Sequence, residues 1–280
     1  MAAQILPLNP FQNVVASGVA ICDLRNLFGY TVERLILQLG GGALTKAMLT
    51  GIQLKANGKV IYDSTGSATD ARMQFRGVGA NPAFLTIDFT ELKARSKLGL
   101  MGGCLDTTLG VKDLRLEVTT AGATTPTLIG YAEVSTPQVG PEYAFMRPLI
   151  ARVHRLTQSI GGAGTFPLVV PHLDPNSGGS LFKRIAILSA NCTGVRVERN
   201  GIREYEVNAA AANNFNQVEY GRVTQSGLWM VDFIVDGIFE DRVLDTRPGG
   251  RTTTANVFGT FSAAETITIE AEVMEPLDVY

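Results

Sequence analysis

The chain has 280 residues, 45% of them hydrophobic and only 18% charged, with a formal net charge of −2. Without clustered Lys and Arg it lacks the electrostatic footprint of a nucleic-acid binder, so no direct sequence-specific nucleic-acid contact is expected. Low charge and 30 glycines favour a sheet-rich, turn-rich chain over a helical one, and the length suffices for two separate cores.

Residues 1–12, with Pro7 and Pro10, read as an N-terminal arm; they lack the basic n-region of a secretory signal, so synthesis in a reducing cytosol is expected. No apolar run reaches the roughly 20 residues that span a bilayer. Strands are predicted at 13–22 and 31–39, the second closed by Gly40-Gly41-Gly42. Over 47–63, Ile52 and Leu54 alternate ahead of Asn57-Gly58, and Val60, Ile61 and Tyr62 follow it. Alternation plus an Asn-Gly pair, which tolerates the two positive φ angles of a type I′ turn, makes a β-hairpin. The Ser-, Thr- and Gly-rich residues 64–82 read as a long surface loop, followed by a strand at 83–89. Thr90 to Met101 reads as a short helix: Thr90 can cap it, Glu91 sits in the first turn, and Lys93, Arg95 and Lys97 lie toward its end. Strands at 111–119 and 127–135 complete a first barrel, 13–135.

Three prolines make 136–148 a linker. A second barrel, 149–280, then restarts with strands at 149–157, 165–171 and 181–190, a hairpin at 194–207, a polar loop at 208–217, and strands at 228–235 and 267–273. Its hairpin repeats the first: Asn200-Gly201 answers Asn57-Gly58 and Tyr205 answers Tyr62, all at an offset of 143. Asp88 matches Asp232 at 144, Gly102-Gly103 matches Gly249-Gly250 at 147, and Glu117 matches Glu270 at 153. An ordered set of landmarks indicates a duplicated scaffold, with a rising offset as loops lengthen. The fold class expected is all-β: two tandem eight-stranded jelly rolls, each with a short helix in a late loop. An immunoglobulin-type sandwich is disfavoured because Trp229 has no flanking Cys pair.

Chemical motifs are sparse. Gly40 to Lys46 is glycine-rich but has the wrong spacing for a phosphate loop, and no GxSxG, HExxH or EF-hand sequence occurs. Cys22, Cys104 and Cys192 are isolated and read as buried free thiols. His154 and His172, 18 apart, read as separate structural residues; a cupin-type centre needs a cluster of histidines. Asp88 and Asp232 each interrupt an apolar strand; they could face a cation, but a solvent-facing or loop-bonded carboxylate is the simpler reading. Glu240-Asp241-Arg242 and Asp245-Thr246-Arg247 read as a solvated or intersubunit salt-bridge patch. No catalytic, cofactor-binding or metal residue is assigned, and no enzyme is expected.

Tandem jelly rolls of near-equal size, a late helix in each, a Pro-rich connector and no catalytic constellation together resemble the double jelly-roll major capsid proteins. That lineage includes tailless icosahedral phages with an internal membrane, corticovirus-like and tectivirus-like. The resemblance covers nearly the whole chain and rests on architecture, so it assigns no residue roles. It implies a structural coat protein of the virion whose homotrimers form pseudo-hexagonal capsomers. Its implied partners are neighbouring capsomers, vertex or minor capsid proteins, and the internal viral membrane, with the N-terminal arm at the inner face. It also leaves room for structural calcium at intersubunit contacts, which no motif here supports. The rival is a carbohydrate- or receptor-binding β-sandwich such as a phage fibre module, with Tyr205, Tyr220 and Trp229 as sugar platforms. A bicupin enzyme comes third, for want of ligands.

Overall fold

A computed structural model describes residues 4–41, 44–137, 139–141, 144, 148–173, 180–239, 242–246, 250 and 253–276. The chain divides into two compact units, one holding the residues up to Arg152 together with Pro276 and the other Val153–Glu275. Six residues of the expected linker 136–148 fall outside the described residues, as do Gly42, Glu240, Asp241, Arg247 and Gly249.

Among the described residues, the first unit is built on β1 (Gln4–Pro7), β2 (Gly18–Asp23), β3 (Thr31–Gly40), β4 (Leu49–Ala56), β5 (Lys59–Ser64), β6 (Phe84–Asp88), β7 (Leu105–Asp106), β8 (Leu114–Thr120) and β9 (Thr127–Ser135). Helix α1 (Gly66–Phe75) follows the hairpin and α2 (Lys97–Met101) follows β6. One sheet runs β1-β9-β3-β6, with β7 added to the end of β3; the other runs β5-β4-β8-β2. Alternating side chains of both are wholly buried: Leu35 and Leu37 on β3, Ile52 and Leu54 on β4, Leu116 and Val118 on β8. Period-2 alternation sends those residues inward and the intervening polar ones outward, giving the two-sheet core of a jelly roll.

The second unit repeats this plan strand for strand: β10 (Leu149–Ile160), β11 (Gly164–Leu168), β12 (Leu181–Leu188), β13 (Cys192–Arg199), β14 (Ile202–Val207), helix α3 (Ala210–Glu219), β15 (Leu228–Asp232), β16 (Leu244–Asp245), β17 (Ala255–Phe261) and β18 (Glu265–Pro276). Its sheets are β15-β12-β18-β10, with β16 on β12, and β11-β17-β13-β14. Each strand occupies the position of the one nine places earlier. Phe182, Ile185 and Ile187 of one sheet pack in a single core with Val195, Val197 and Val257 of the other. Both hairpins turn through left-handed residues, with φ +52° at Asn57 and Asn200 and +77° at Gly58 and Gly201.

Several expectations need correction. The arm is not free of the barrel: β1 pairs antiparallel with β9, Gln4 opposite Val134 through Pro7 opposite Tyr131. The expected loop 64–82 contains the ten-residue helix α1, and the expected loop 208–217 is mostly taken up by the ten-residue helix α3, which runs two residues past it. The helix expected from Thr90 contracts to α2, capped by Ser96, whose side chain accepts from the Gly99 N–H. Thr90 instead donates its hydroxyl to Asp88 Oδ1 at 2.6 Å. The match of Glu117 with Glu270 is out of register: Glu117 lies on β8, whose counterpart is β17, whereas Glu270 lies on β18, the counterpart of β9. The glycine match fails as well, because Gly102-Gly103 precede β7 while Gly250 follows its counterpart β16. The true pairing there is Leu105-Asp106-Thr107 with Leu244-Asp245-Thr246, at an offset of 139. Both threonines do the same work: Thr107 N–H and hydroxyl donate to Tyr30 O, and Thr246 N–H and hydroxyl to Ser180 O.

Candidate functional site

The chemistry of this chain concentrates in two copies of one buried ion cluster. In β3 the pairing with β9 shifts between Val32 and Arg34, and in β12 the pairing with β18 shifts between Phe182 and Arg184. Each shift leaves one extra residue, Glu33 or Lys183, whose carbonyl accepts from the residue just past the neighbouring strand, Phe89 N–H or Phe233 N–H. A β-bulge kinks its strand and re-aims the next side chain. Here the re-aimed side chain is an arginine opposite an aspartate: Arg34 lies across from Asp88, and Arg184 from Asp232.

The contacts repeat residue for residue. Arg34 Nε lies 3.2 Å from Asp88 Oδ1, and Arg184 Nε 3.1 Å from Asp232 Oδ1. On the other strand neighbour, Arg34 reaches Glu133 at 2.9 Å and Arg184 reaches Glu272 at 3.4 Å. A second arginine comes from just beyond the helix: Arg76 after α1 stands 3.7 Å from Asp88 Oδ2, and Arg222 after α3 stands 3.0 Å from Asp232 Oδ2. Each also donates to the carbonyl two residues past its aspartate, Thr90 or Ile234. The aspartate in turn accepts the N–H of that same residue, at 2.9 Å from Thr90 and 3.2 Å from Ile234. A helix C-terminus favours a nearby cation, so Arg76 and Arg222 suit their ends of α1 and α3.

Both aspartate side chains are enclosed, 0% exposed for Asp88 and 1% for Asp232. A carboxylate enclosed this completely must be paired, and two guanidinium groups do so while repelling any added cation. Neither the cation reading nor the solvent-facing one therefore applies to these positions. What the arrangement can do is mechanical: it ties the central strand, its neighbours and the helix after the hairpin into one block. The hairpin tyrosines complete the tie. Tyr62 Oη lies 2.8 Å from Thr69 on α1, and Tyr205 Oη donates to Asn213 on α3 at 2.9 Å.

The remaining residues scatter. Trp229 is buried in the core and Tyr205 is half-buried with its hydroxyl engaged, so of the sugar-platform candidates only Tyr220 is exposed. Lys46 pairs with Asp70 at 2.6 Å. Arg242 pairs with Asp236, while Thr246, placed in the expected solvated patch, is wholly buried. Burial pushes the Cys22 and Cys192 thiols up to about 12, with Asp23 adding to the effect at Cys22.

His154 and His172 are not separate. Their rings stack with centroids 3.6 Å apart and planes 15° from parallel. Both face Glu275, His172 Nδ1 at 3.0 Å and His154 Nε2 at 3.6 Å. Burial opposes charge on Glu275, but hydrogen bonds from His154, His172 and Ser180 overcome it and hold the carboxyl well below the usual range. Sequence spacing could not show this, because the three residues come from β10, a turn after β11, and the end of β18.

Viral coat protein P2 supplies the family models that match, its N-terminal domain over residues 5–135 and its C-terminal domain over 150–277. No curated protein sequence matches the chain. Among solved structures, it is similar to the major capsid protein P2 from bacteriophage PM2, at 15% identity and a TM-score of 0.80, covering 99% of this chain and 98% of that one. The STIV MCP follows at 14% identity and TM-score 0.71, covering 98% and 97%. PBCV-1 VP54 is similar at 10% identity and TM-score 0.64, covering 98% and 93%. Two family models that together span nearly all of the chain, on a matching double jelly roll, decide the assignment. The chain belongs to the viral coat protein P2 family and is a capsid subunit of a virion.

Proposed function

We propose that the chain assembles as a homotrimer whose six barrels form a pseudo-hexagonal capsomer of an icosahedral shell. The observation that carries this reading is the internal duplication: two barrels with the same strand order, the same bulge and the same ion cluster. Three such chains present six similar walls around a threefold axis, which suits lattice positions of sixfold character. A net charge of −2 on 280 residues opposes lateral packing only weakly. Exposed apolar side chains, among them Ile5, Ile202, Phe215 and Val218, supply surface for contacts between copies. Vertex or minor capsid proteins, and a viral membrane at the inner face, complete the proposed partners. Light scattering on the purified chain checks the assembly: three times the 30.0 kDa chain mass is expected, with hexagonal particles by electron microscopy. A stable monomer that binds glycans would overturn it in favour of the fibre-module reading.

A further inference from the structure

The His154–His172–Glu275 cluster is independent of the capsomer reading and lies wholly in the Val153–Glu275 unit. One ring nitrogen from each histidine and a glutamate oxygen all fall within 4.8 Å of one another. For a tetrahedral zinc with bonds of about 2.0–2.1 Å, neighbouring donors stand roughly 3.3 Å apart. The nitrogen–oxygen separations, 3.0 Å from His172 Nδ1 to Glu275 Oε1 and 3.6 Å from His154 Nε2 to Oε2 of the same carboxylate, straddle that value. Two imidazoles and one carboxylate are a donor set that zinc sites with an open fourth position use, whereas calcium requires six or more oxygens.

The surroundings fit a held ligand set. Ser180 donates its hydroxyl to Glu275, and its own N–H lies 2.9 Å from Thr246 Oγ1, so the carboxylate is oriented through a second layer of buried groups. His172 takes a left-handed backbone, φ +61°, uncommon for a residue other than glycine. The glutamate side chain is fully buried, while the two histidine side chains retain 16% and 22% exposure. An ion can therefore approach from the histidine side.

We propose that His154, His172 and Glu275 form a binding site for one zinc-class divalent cation per chain, with the fourth position open to solvent. The chain holds only two histidines, so every histidine-dependent signal reports on this cluster. The test uses the full, tag-free chain, stripped with chelator and titrated calorimetrically with zinc chloride and, separately, calcium chloride. One zinc per chain is expected, with a zinc-dependent rise in Tm and perturbation of both imidazole NMR signals. H154Q and H172Q should each weaken zinc binding at least tenfold and abolish the Tm rise, and S180A should weaken it about 10–100-fold. Metal-free melting and circular dichroism identify which of the two histidine variants is folded enough to be read, and E275Q adds a third. Absence of saturable zinc binding overturns the site, as does binding undiminished in a folded histidine variant. Calcium binding as tight as zinc, lost in the same variants, overturns the metal class.

Discussion

At the scale of single residues, the fold depends on charges that a hydrophobic pattern does not reveal. Asp88 and Asp232 are each enclosed between two arginines, so removing the carboxylate charge strips both guanidinium groups of the partner they share. D88N and D232N are each expected to cost about 3–5 kcal/mol in chemical denaturation. A loss below about 1 kcal/mol would mean that water reaches these clusters. The thiol of Cys22 works at the opposite end of the pH scale. Its folded pKa of about 12 lies above the unfolded value of about 8.5, so between those values the unfolded chain binds fewer protons than the folded one. Stability must then fall as pH rises through that window, and C22A should show a shallower decline than the parent. Denaturation midpoints measured from pH 8 to 10 check the sign, and equal slopes would show that Cys22 does not contribute.

Among the elements, the hairpins were legible and the helices behind them were not. Asn-Gly between alternating apolar residues fixes a turn locally, and both predicted turns are present with left-handed Asn and Gly. Asn57 is more than a turn former: its side chain donates to Gly110 O and accepts from Lys112 N–H. N57A should lose both the relaxed positive φ and these bonds, costing about 1–3 kcal/mol, while N57G keeps the turn and loses only the bonds. Thermal melting that ranks the alanine variant no lower than the glycine variant would refute the backbone contribution. Helices α1 and α3 escaped because their sequences, G-S-A-T-D-A-R-M-Q-F and A-A-A-N-N-F-N-Q-V-E, show no strong apolar stripe. Polar ties such as Tyr62–Thr69 and Tyr205–Asn213 help to hold them, and these depend on tertiary placement. Strand β17, A-N-V-F-G-T-F, was hidden by Asn256 and Gly259, and its omission is what threw Glu117 against Glu270. One overlooked signal was available: V-E-R-L-I-L at 32–37 and F-K-R-I-A-I at 182–187 place an arginine at the same point of two apolar strands. The His–Glu cluster left no such trace, since nothing in linear spacing ties a turn after β11 to the last strand.

For the whole molecule, the consequence of the family assignment is that surfaces matter as much as cores. Phe215 and Val218, one turn apart on α3, are 68% and 54% exposed. Apolar side chains held in water on a helix face gain from burial against another chain. F215D is therefore expected to shift the light-scattering mass toward the monomer while leaving unfolding within about 0.5 kcal/mol of the parent, as surface changes usually do. A trimer that persists in F215D would place the contact elsewhere.

The paired bulges carry one more implication. At the extra position one barrel has Glu33 and the other Lys183, opposite charges on the same backbone kink. The kink thus imposes a shape without dictating a side chain. Divergence between the barrels can proceed in charge while their walls stay congruent. In the proposed trimer, a tile made of such halves is hexagonal in outline and threefold in its interior chemistry, because the wholly buried Lys183 changes the charge of one barrel without changing the wall it shows.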